Sequence, residues 1–298
     1  MASVKGKGVL LTGASSGIGE EAARLLAARG ARLVLVARRE ERLRRLEQDL
    51  VQAQHPRPAI IAADLGVEGV AGDVARRATE ALGQVDVLVN NAGASIQGLT
   101  WVAGDRQEAR AVFETNLWSP LALAAAVAPQ MVARGEGVIV NTGSMVQVSP
   151  FPHLGHYSAS RAALALITQT MHLELAPRGV RVVEVALGAV DTAGSTENRV
   201  LEGGTQWLEG RPGLGKLEGA AHTLVRAVEG PAQGVIFYPR ILRWVHALPG
   251  LGRSHAKRAG KNTNLTDTHV RVGGSSGDEA IRAAREAWER ERAGAAGV

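Results

Sequence analysis

An apolar run, Val9-Leu10-Leu11, leads into Thr12-Gly13-Ala14-Ser15-Ser16-Gly17-Ile18-Gly19 and then into a stretch of helical period ending near Ala28. Three glycines set between a strand and a helix constrain the fold more than any other feature of the chain. Gly13 permits a tight turn, Gly17 lets a ligand approach the backbone, and Gly19 lets the helix pack closely on the sheet. The amides at the helix N-terminus favour a phosphate. A glycine-rich turn without a ligand is the plainer alternative. Here, however, the second strand follows on schedule, and the arrangement is the one that receives the pyrophosphate of a dinucleotide.

The rest of the chain continues that rhythm. Strand-length apolar runs at Gly8 to Leu11, Arg32 to Val36, Ala59 to Ala62, Val85 to Val89, Val138 to Asn141, Arg181 to Val185 and Gly234 to Phe237 alternate with helical segments. Those segments lie near Ile18 to Ala28, Glu40 to Gln54, Gly69 to Leu82, Asp105 to Val132, His156 to Ala176 and Lys216 to Val228. Such alternation builds a parallel sheet covered by helices on both faces, with no boundary before about Tyr238. The expected organisation is one α/β domain over 1–239 and an extension over 240–298.

The extension has a different texture. Arg240, Arg243, Arg253, Lys257, Arg258 and Lys261 come without an acidic residue among them, Gly273 to Gly277 reads as a flexible linker, and Asp278 to Arg292 reads as a charged helix. Val235 to Leu251 is basic, amphipathic and carries Trp244. Contact with an anionic membrane through 235–261 is one use for it, and subunit packing is the plainer one. The basic cluster lacks interleaved aromatics and a reading element, so no nucleic acid is expected.

The absence of cysteine among 298 residues excludes disulfides, thiolate metal sites and cysteine nucleophiles, and suits a reducing compartment. No secretory h-region is expected at the start. The most apolar stretch, Leu121 to Val132, is broken by Pro129, so no membrane-spanning length is expected. A cytoplasmic location is the resulting expectation. The histidines and carboxylates form no metal-like cluster, so no catalytic metal is expected.

The second strand ends Val36-Ala37-Arg38-Arg39, with no acid to accept from a ribose 2′-hydroxyl. An arginine there can pair with a 2′-phosphate instead, so NADP(H) is expected rather than NAD. Arg38 is the expected ligand. Arg38 ranks above Arg39 in that role, and the plainer alternative is that both merely begin an exposed basic helix with Arg42, Arg44 and Arg45.

The glycine turn, Asn90-Asn91-Ala92-Gly93 and Tyr157-Ser158-Ala159-Ser160 together resemble the short-chain dehydrogenase/reductase family, over about Gly6 to Tyr238. The resemblance implies a doubly wound, Rossmann-type sheet of seven parallel strands, and a homodimer or homotetramer. It also implies cofactor contacts from Gly13, Ser15, Ser16, Gly17, Ile18 and Gly19, and from Arg38, Asp64, Leu65, Asn90, Ala92, Gly93, Tyr157, residue 161, Val190 and Thr192. Asp64 would hold the adenine, Ser15 and Arg38 the 2′-phosphate, and Val190 and Thr192 the nicotinamide end.

The same resemblance makes Tyr157 the acid–base group and Ser144, thirteen positions earlier, the group that bonds a substrate carbonyl or alcohol oxygen. A phenol ionises near pH ~10, so its work near neutrality needs a cation. The family has lysine one helical turn after the tyrosine, and this chain has Arg161. Arginine keeps the charge and can donate to ribose hydroxyls, but it effectively cannot lose a proton, which breaks or reroutes a relay through Asn116 to water. The expectation is an NADP(H)-dependent oxidoreductase. The alternative is an NADP-binding sensor or scaffold with impaired catalysis.

Several residues keep two readings. His153 and His156 either touch substrate or stand, respectively, at the pocket rim and at the start of the Tyr157 helix as a cap. Trp207, in the glycine-bearing stretch from Thr192 to Leu214, either covers substrate as part of a lid or packs on a neighbouring subunit. Leu187-Gly188 replaces the family's proline-glycine and changes the loop that follows.

Overall fold

The computed structural model describes residues 3–190, 215–248 and 270–274. Its centre is β1 (Gly8–Thr12), buried at all five positions. A strand covered by helices on both faces reads as a continuous apolar run rather than as an alternation. Around it lie β2 (Arg32–Ala37), β3 (Ala59–Ala62), β4 (Val87–Asn90), β6 (Gly137–Ser144), β7 (Val180–Leu187) and β8 (Gly234–Tyr238). They form one seven-stranded sheet in the order β3-β2-β1-β4-β6-β7-β8, parallel throughout. This is the doubly wound, Rossmann-type α/β fold expected from the sequence. The strand order turns around between β1 and β4, and the crevice at their carboxyl ends is where ligands bind in such sheets.

The sheet separates two apolar layers. On one face Val9, Leu11, Val183 and Val185 meet α1 (Gly17–Ala28) and α8 (Leu217–Glu229) through Ala22, Leu26, Leu224 and Val225. On the other, Leu10, Leu88, Ile139 and Val182 meet α3 (Val70–Leu82) and α6 (Ser119–Arg134) through Val74, Ala78, Leu123, Val127 and Met131. Truncating any one of the fully buried leucines to alanine costs about 2–5 kcal/mol. Arg181 of β7 adds a polar tie: its guanidinium donates to the carbonyls of Ala227, Val228 and Ala232 at the end of α8.

Three departures from the sequence reading bear on the site. First, the long helix expected over Asp105 to Val132 divides into α5 (Gln107–Phe113), a π-helical turn Glu114–Trp118, and α6. Second, α6 runs through Pro129 at the loss of one backbone bond, so the expected break does not occur. The helical run Gln107–Arg134 is therefore long and apolar enough to cross a membrane, with mean hydropathy 1.2. Its apolar side is core, since Leu123, Ala124, Val127 and Met131 are buried against the sheet layer.

Third, Gly273 and Gly274 are not linker. They belong to β9 (Arg271–Gly274), which pairs antiparallel with β5 (Ala94–Gln97) immediately after Gly93. Neither strand is legible in sequence, because four residues without apolar alternation carry too little signal. Downstream of β8, α9 (Leu242–Ala247) sets His246 against Phe237, the rings tilted at 54° with centroids 5.1 Å apart. The charged helix expected over Asp278 to Arg292 lies outside the described residues.

Candidate active site

The glycine turn is built on Thr12, the last residue of β1. Its buried hydroxyl donates to the Val89 carbonyl and accepts from the amides of Asn91 and Ala92 at 3.0 Å each. One side chain thus ties the end of β1 to the end of β4. Gly13 follows with φ +70°, and a Cβ there would lie 2.8 Å from Asn91 Nδ2 and 2.9 Å from Ala92 backbone. A Cβ on Gly19 would strike the Gly13 carbonyl, so the third glycine makes room for the turn itself rather than for the sheet. Asn91 Nδ2 donates to the Thr12 carbonyl at 3.1 Å and completes the clamp. Thr12 and Asn91 are structural members of the site that motif reading passed over.

A cavity opens beside this turn, lined by Gly13, Ser15, Ala37, Arg38, Asp64 and Leu65 on one side and by Ala92, Gly93 and Thr115 on the other. Both arginines at the end of β2 line it. Arg38 Nη1 stands 3.8 Å from the Asp64 carboxylate, and Asp64 also accepts from the Gly66 amide at 2.9 Å. Arg39 is not merely the start of an exposed helix: its Nη2 donates to Ser15 Oγ at 3.1 Å and to Ser16 Oγ at 2.9 Å. Two guanidinium groups, two hydroxyls and a left-handed glycine turn at a helix N-terminus are a donor set suited to phosphate. The residues present therefore fit a phosphorylated dinucleotide.

Not every expected cofactor residue faces that cavity. The Asn90 side chain is buried and donates to Asn141 Oδ1 at 2.9 Å and to the Pro120 carbonyl at 3.3 Å, which joins β4 to β6 and α6. Val190 is buried beside Gly215 in a parallel bridge. Ile18 packs against the core from the second position of α1. Thr192, Trp207 and the stretch from Thr192 to Leu214 lie outside the described residues.

Asn116 occupies the middle of the π-helical turn, a local widening frequent at functional sites. It is fully buried. Its carboxamide pairs with the backbone of Ala94 in both directions, at 2.9 Å from Ala94 N–H and 2.8 Å to Ala94 C=O, as a neighbouring strand would. Its Nδ2 also donates to Ser160 Oγ at 3.0 Å, and Ser160 in turn donates to the Tyr157 carbonyl at 2.9 Å. Asn116 therefore fixes both the strand after Gly93 and the first turn of α7 (Gly155–Leu175).

Tyr157 and Arg161 lie one turn apart on α7. The Arg161 guanidinium carbon is 5.5 Å from the Tyr157 ring centroid, a cation–π contact. Arg161 is only 6 % exposed, its Nη1 donates to the Thr142 carbonyl at 2.9 Å, and its Nε has no hydrogen-bond partner among the described residues. Its Nη2 occupies the space a Cβ on Gly93 would need. The arginine thus touches β6, the Asn90–Gly93 segment and the tyrosine at once.

Ser144 ends β6 two residues beyond Thr142 and caps the 3₁₀ turn Met145–Gln147. Its Oγ accepts from the Val146 amide at 3.5 Å, and its own amide donates to Gln147 Oε1 at 3.2 Å. Gln147 Nε2 donates to Glu184 of β7 at 2.7 Å. Burial pushes the Glu184 carboxyl up, against the opposing pull of the Gln147 bond and the Arg161 charge. Gln147 and Glu184 carry no family motif, and only their juxtaposition in space brings them into the site.

The histidines divide as well. His156 lies inside α7 rather than at its cap, and its Nε2 meets the Gly104 carbonyl at 2.6 Å. His153 takes the left-handed backbone region, φ +65°, and its carbonyl accepts from Gly98 at 3.0 Å. Non-glycine residues held there store strain and concentrate at functional sites. Among the described residues no group of three histidine or carboxylate side chains gathers as a metal site would.

A sequence-family model for short chain dehydrogenases matches residues 7–201. The chain is 34% identical over 195 residues to a dehydrogenase/reductase SDR family protein 7-like of Anopheles gambiae. That match covers 64% of this chain and 61% of the mosquito protein's length. Among solved structures, a short-chain dehydrogenase from Sphingobium yanoikuyae in complex with NADPH superposes with a TM-score of 0.70 at 30% identity. It covers 87% of this chain and 97% of its own. An NAD+-bound xylitol dehydrogenase shares the fold, with a TM-score of 0.71 at 24% identity, covering 78% of this chain and 96% of its own.

Proposed function

The chain belongs to the short-chain dehydrogenase/reductase family, and from that premise we propose that it is an NADP(H)-dependent oxidoreductase acting on a carbonyl or secondary alcohol. The observation that carries this reading is the buried Arg161 guanidinium over the Tyr157 ring, bonded to the strand that ends in Ser144. NADPH, when bound, supplies the hydride.

The chain's own residues would do the rest. Ser15, Arg38 and Arg39 would hold the 2′-phosphate, and Asp64 and Leu65 the adenosine side of the cavity. Ser144 Oγ accepts from the Val146 amide through one lone pair, and its hydroxyl proton would bond a carbonyl oxygen. Tyr157 would give that oxygen its proton in reduction and take it back in oxidation. Arg161 keeps a fixed positive charge at the phenol and pins α7 to β6. It cannot pass a proton on, and Asn116 is engaged with Ala94 and Ser160, so its role here is to hold the frame.

The preference for NADP(H) rests on Ala37, Arg38 and Arg39: β2 itself ends without an acid, and although Arg38 stands 3.8 Å from Asp64, Arg39 adds a second guanidinium to the cavity. A homodimer or homotetramer is proposed as well, supported by Leu166 and Leu173, seven residues apart and exposed on one face of α7. The activity is tested by following NADPH consumption against a panel of aldehydes and ketones. Turnover supports the reading, and protein that binds NADPH but reduces none of the panel refutes it.

A further inference from the structure

Glu184 stands on β7, the strand beside the sheet's edge strand, between Asn141 of β6 and Val235 of β8, and is 1 % exposed. Its chain neighbours Val183 and Val185 are what such a position ordinarily takes. A carboxylate buried there costs stability relative to an apolar side chain of similar volume. Its Oε2 has no hydrogen-bond partner among the described residues. The fold makes room for it: a side chain on Gly143 would collide with Glu184 Oε1 and come within 3.0 Å of Gln147 Oε1.

The chemistry of the contact says what the carboxylate does. An ionised carboxylate can only accept hydrogen bonds. Gln147 must therefore present its Nε2 to Glu184, and this turns its Oε1 toward the Ser144 amide. The Ser144 amide, a donor only, asks Gln147 for the same sense, and Glu184 holds the Nε2 end of the side chain in place. Arg161 is the charged group that faces Glu184 from α7, and the strand neighbours Asn141, Gly143 and Val235 carry no charge.

We infer that Glu184 is a positioning residue for the active site, acting through Gln147 to hold the Ser144 backbone and so to aim the Ser144 hydroxyl. The inference rests on the proposed role of Ser144 in bonding the carbonyl oxygen. Glu184 does not itself touch substrate, and the stability it costs is retained for the orientation it imposes.

The test uses the full-length protein and the variants Glu184→Leu, Glu184→Gln, Gln147→Leu and the Leu/Leu double variant. Two properties are read: the Ser144 amide resonance in 1H–15N spectra, and kcat for a carbonyl alongside the Kd for NADPH. Glu184→Leu and Gln147→Leu should move the Ser144 resonance alike. Each should lower kcat on the order of tenfold, the worth of one modest hydrogen bond.

Both should leave the NADPH Kd within about twofold, and the double variant should be no worse than either single one, because the two residues act in series. Glu184→Gln keeps an acceptor and should retain about half of kcat or more. An unmoved Ser144 amide in Glu184→Leu overturns the inference. So do losses that multiply in the double variant, or a loss of NADPH affinity as large as the loss of kcat. If the Ser144 amide moves as expected but the wild type reduces no carbonyl, the positioning stands and the proposed activity falls.

Discussion

Arg161 holds its guanidinium carbon 5.5 Å from the centre of the Tyr157 ring while its Nη1 bonds the Thr142 carbonyl at 2.9 Å. The family has lysine at this position. Arginine here does more than supply charge, because it binds helix α7 to the strand that carries Ser144. Arg161→Met should lower kcat by about a hundredfold, the lower range for losing support of an acid–base group. Arg161→Lys, which keeps charge but cannot span to Thr142 and Gly93 together, should fall between the two. A lysine variant faster than the wild type would show that the lost proton relay, not the frame, limits turnover.

Gly93 leaves the space that Arg161 Nη2 fills. Gly93→Ala should destabilise the protein by about 1–3 kcal/mol through overpacking and lower turnover as the guanidinium is displaced. Adding Arg161→Lys to Gly93→Ala should recover part of the lost Tm, since the shorter contact frees that space. Strictly additive losses in thermal unfolding would contradict the contact.

Arg38 and Arg39 both line the cavity, and Arg39 reaches Ser15 and Ser16. Substituting either with alanine should weaken NADPH binding by roughly tenfold or more, the worth of a charge-assisted hydrogen bond, and change NADH binding little. Fluorescence titration with both nucleotides checks this. Equal losses for the two would place the arginines away from the 2′-phosphate.

Burial raises the Glu184 carboxyl in the folded protein, whereas the unfolded chain has the ordinary value. Such a group binds its proton more tightly when folded. Its contribution to stability is therefore present below the ordinary carboxylate pKa and is lost as pH rises through the folded-state value. Glu184→Gln lacks this loss. The Tm of the variant relative to the wild type should rise as pH climbs from about 4 toward neutrality. A difference independent of pH would show that the carboxyl is not held up by burial.

What the sequence disclosed follows from how local each signal is. The seven sheet strands are largely apolar runs, and the glycine turn is contiguous in the chain, so both are legible in one dimension. The family motifs add Tyr157 and Ser144 by spacing. The β5–β9 pair is not legible, since it joins two four-residue segments far apart in the chain with little apolar pattern.

Arg39 was hidden by its neighbours, because a run of arginines on a helix reads as solvated surface until Ser15 and Ser16 come within reach. Asn90 shows the opposite relation: its motif points to the cofactor, while its side chain donates to Asn141 and Pro120 inside the fold. Glu184 shows the limit most plainly. A single acid in Val183-Glu184-Val185 looks like an exception to a buried strand, and only the approach of Gln147 gives it a purpose.

The central claim is that Tyr157, beside Arg161, performs the proton transfer that accompanies hydride transfer from NADPH. The most direct measurement compares the wild type with Tyr157→Phe, using single-turnover oxidation of bound NADPH by a carbonyl substrate and the Kd for NADPH. The account predicts that the phenylalanine variant binds NADPH as the wild type does and oxidises it slower by about 10²–10⁴-fold. A phenylalanine variant that oxidises NADPH at the wild-type rate would contradict it.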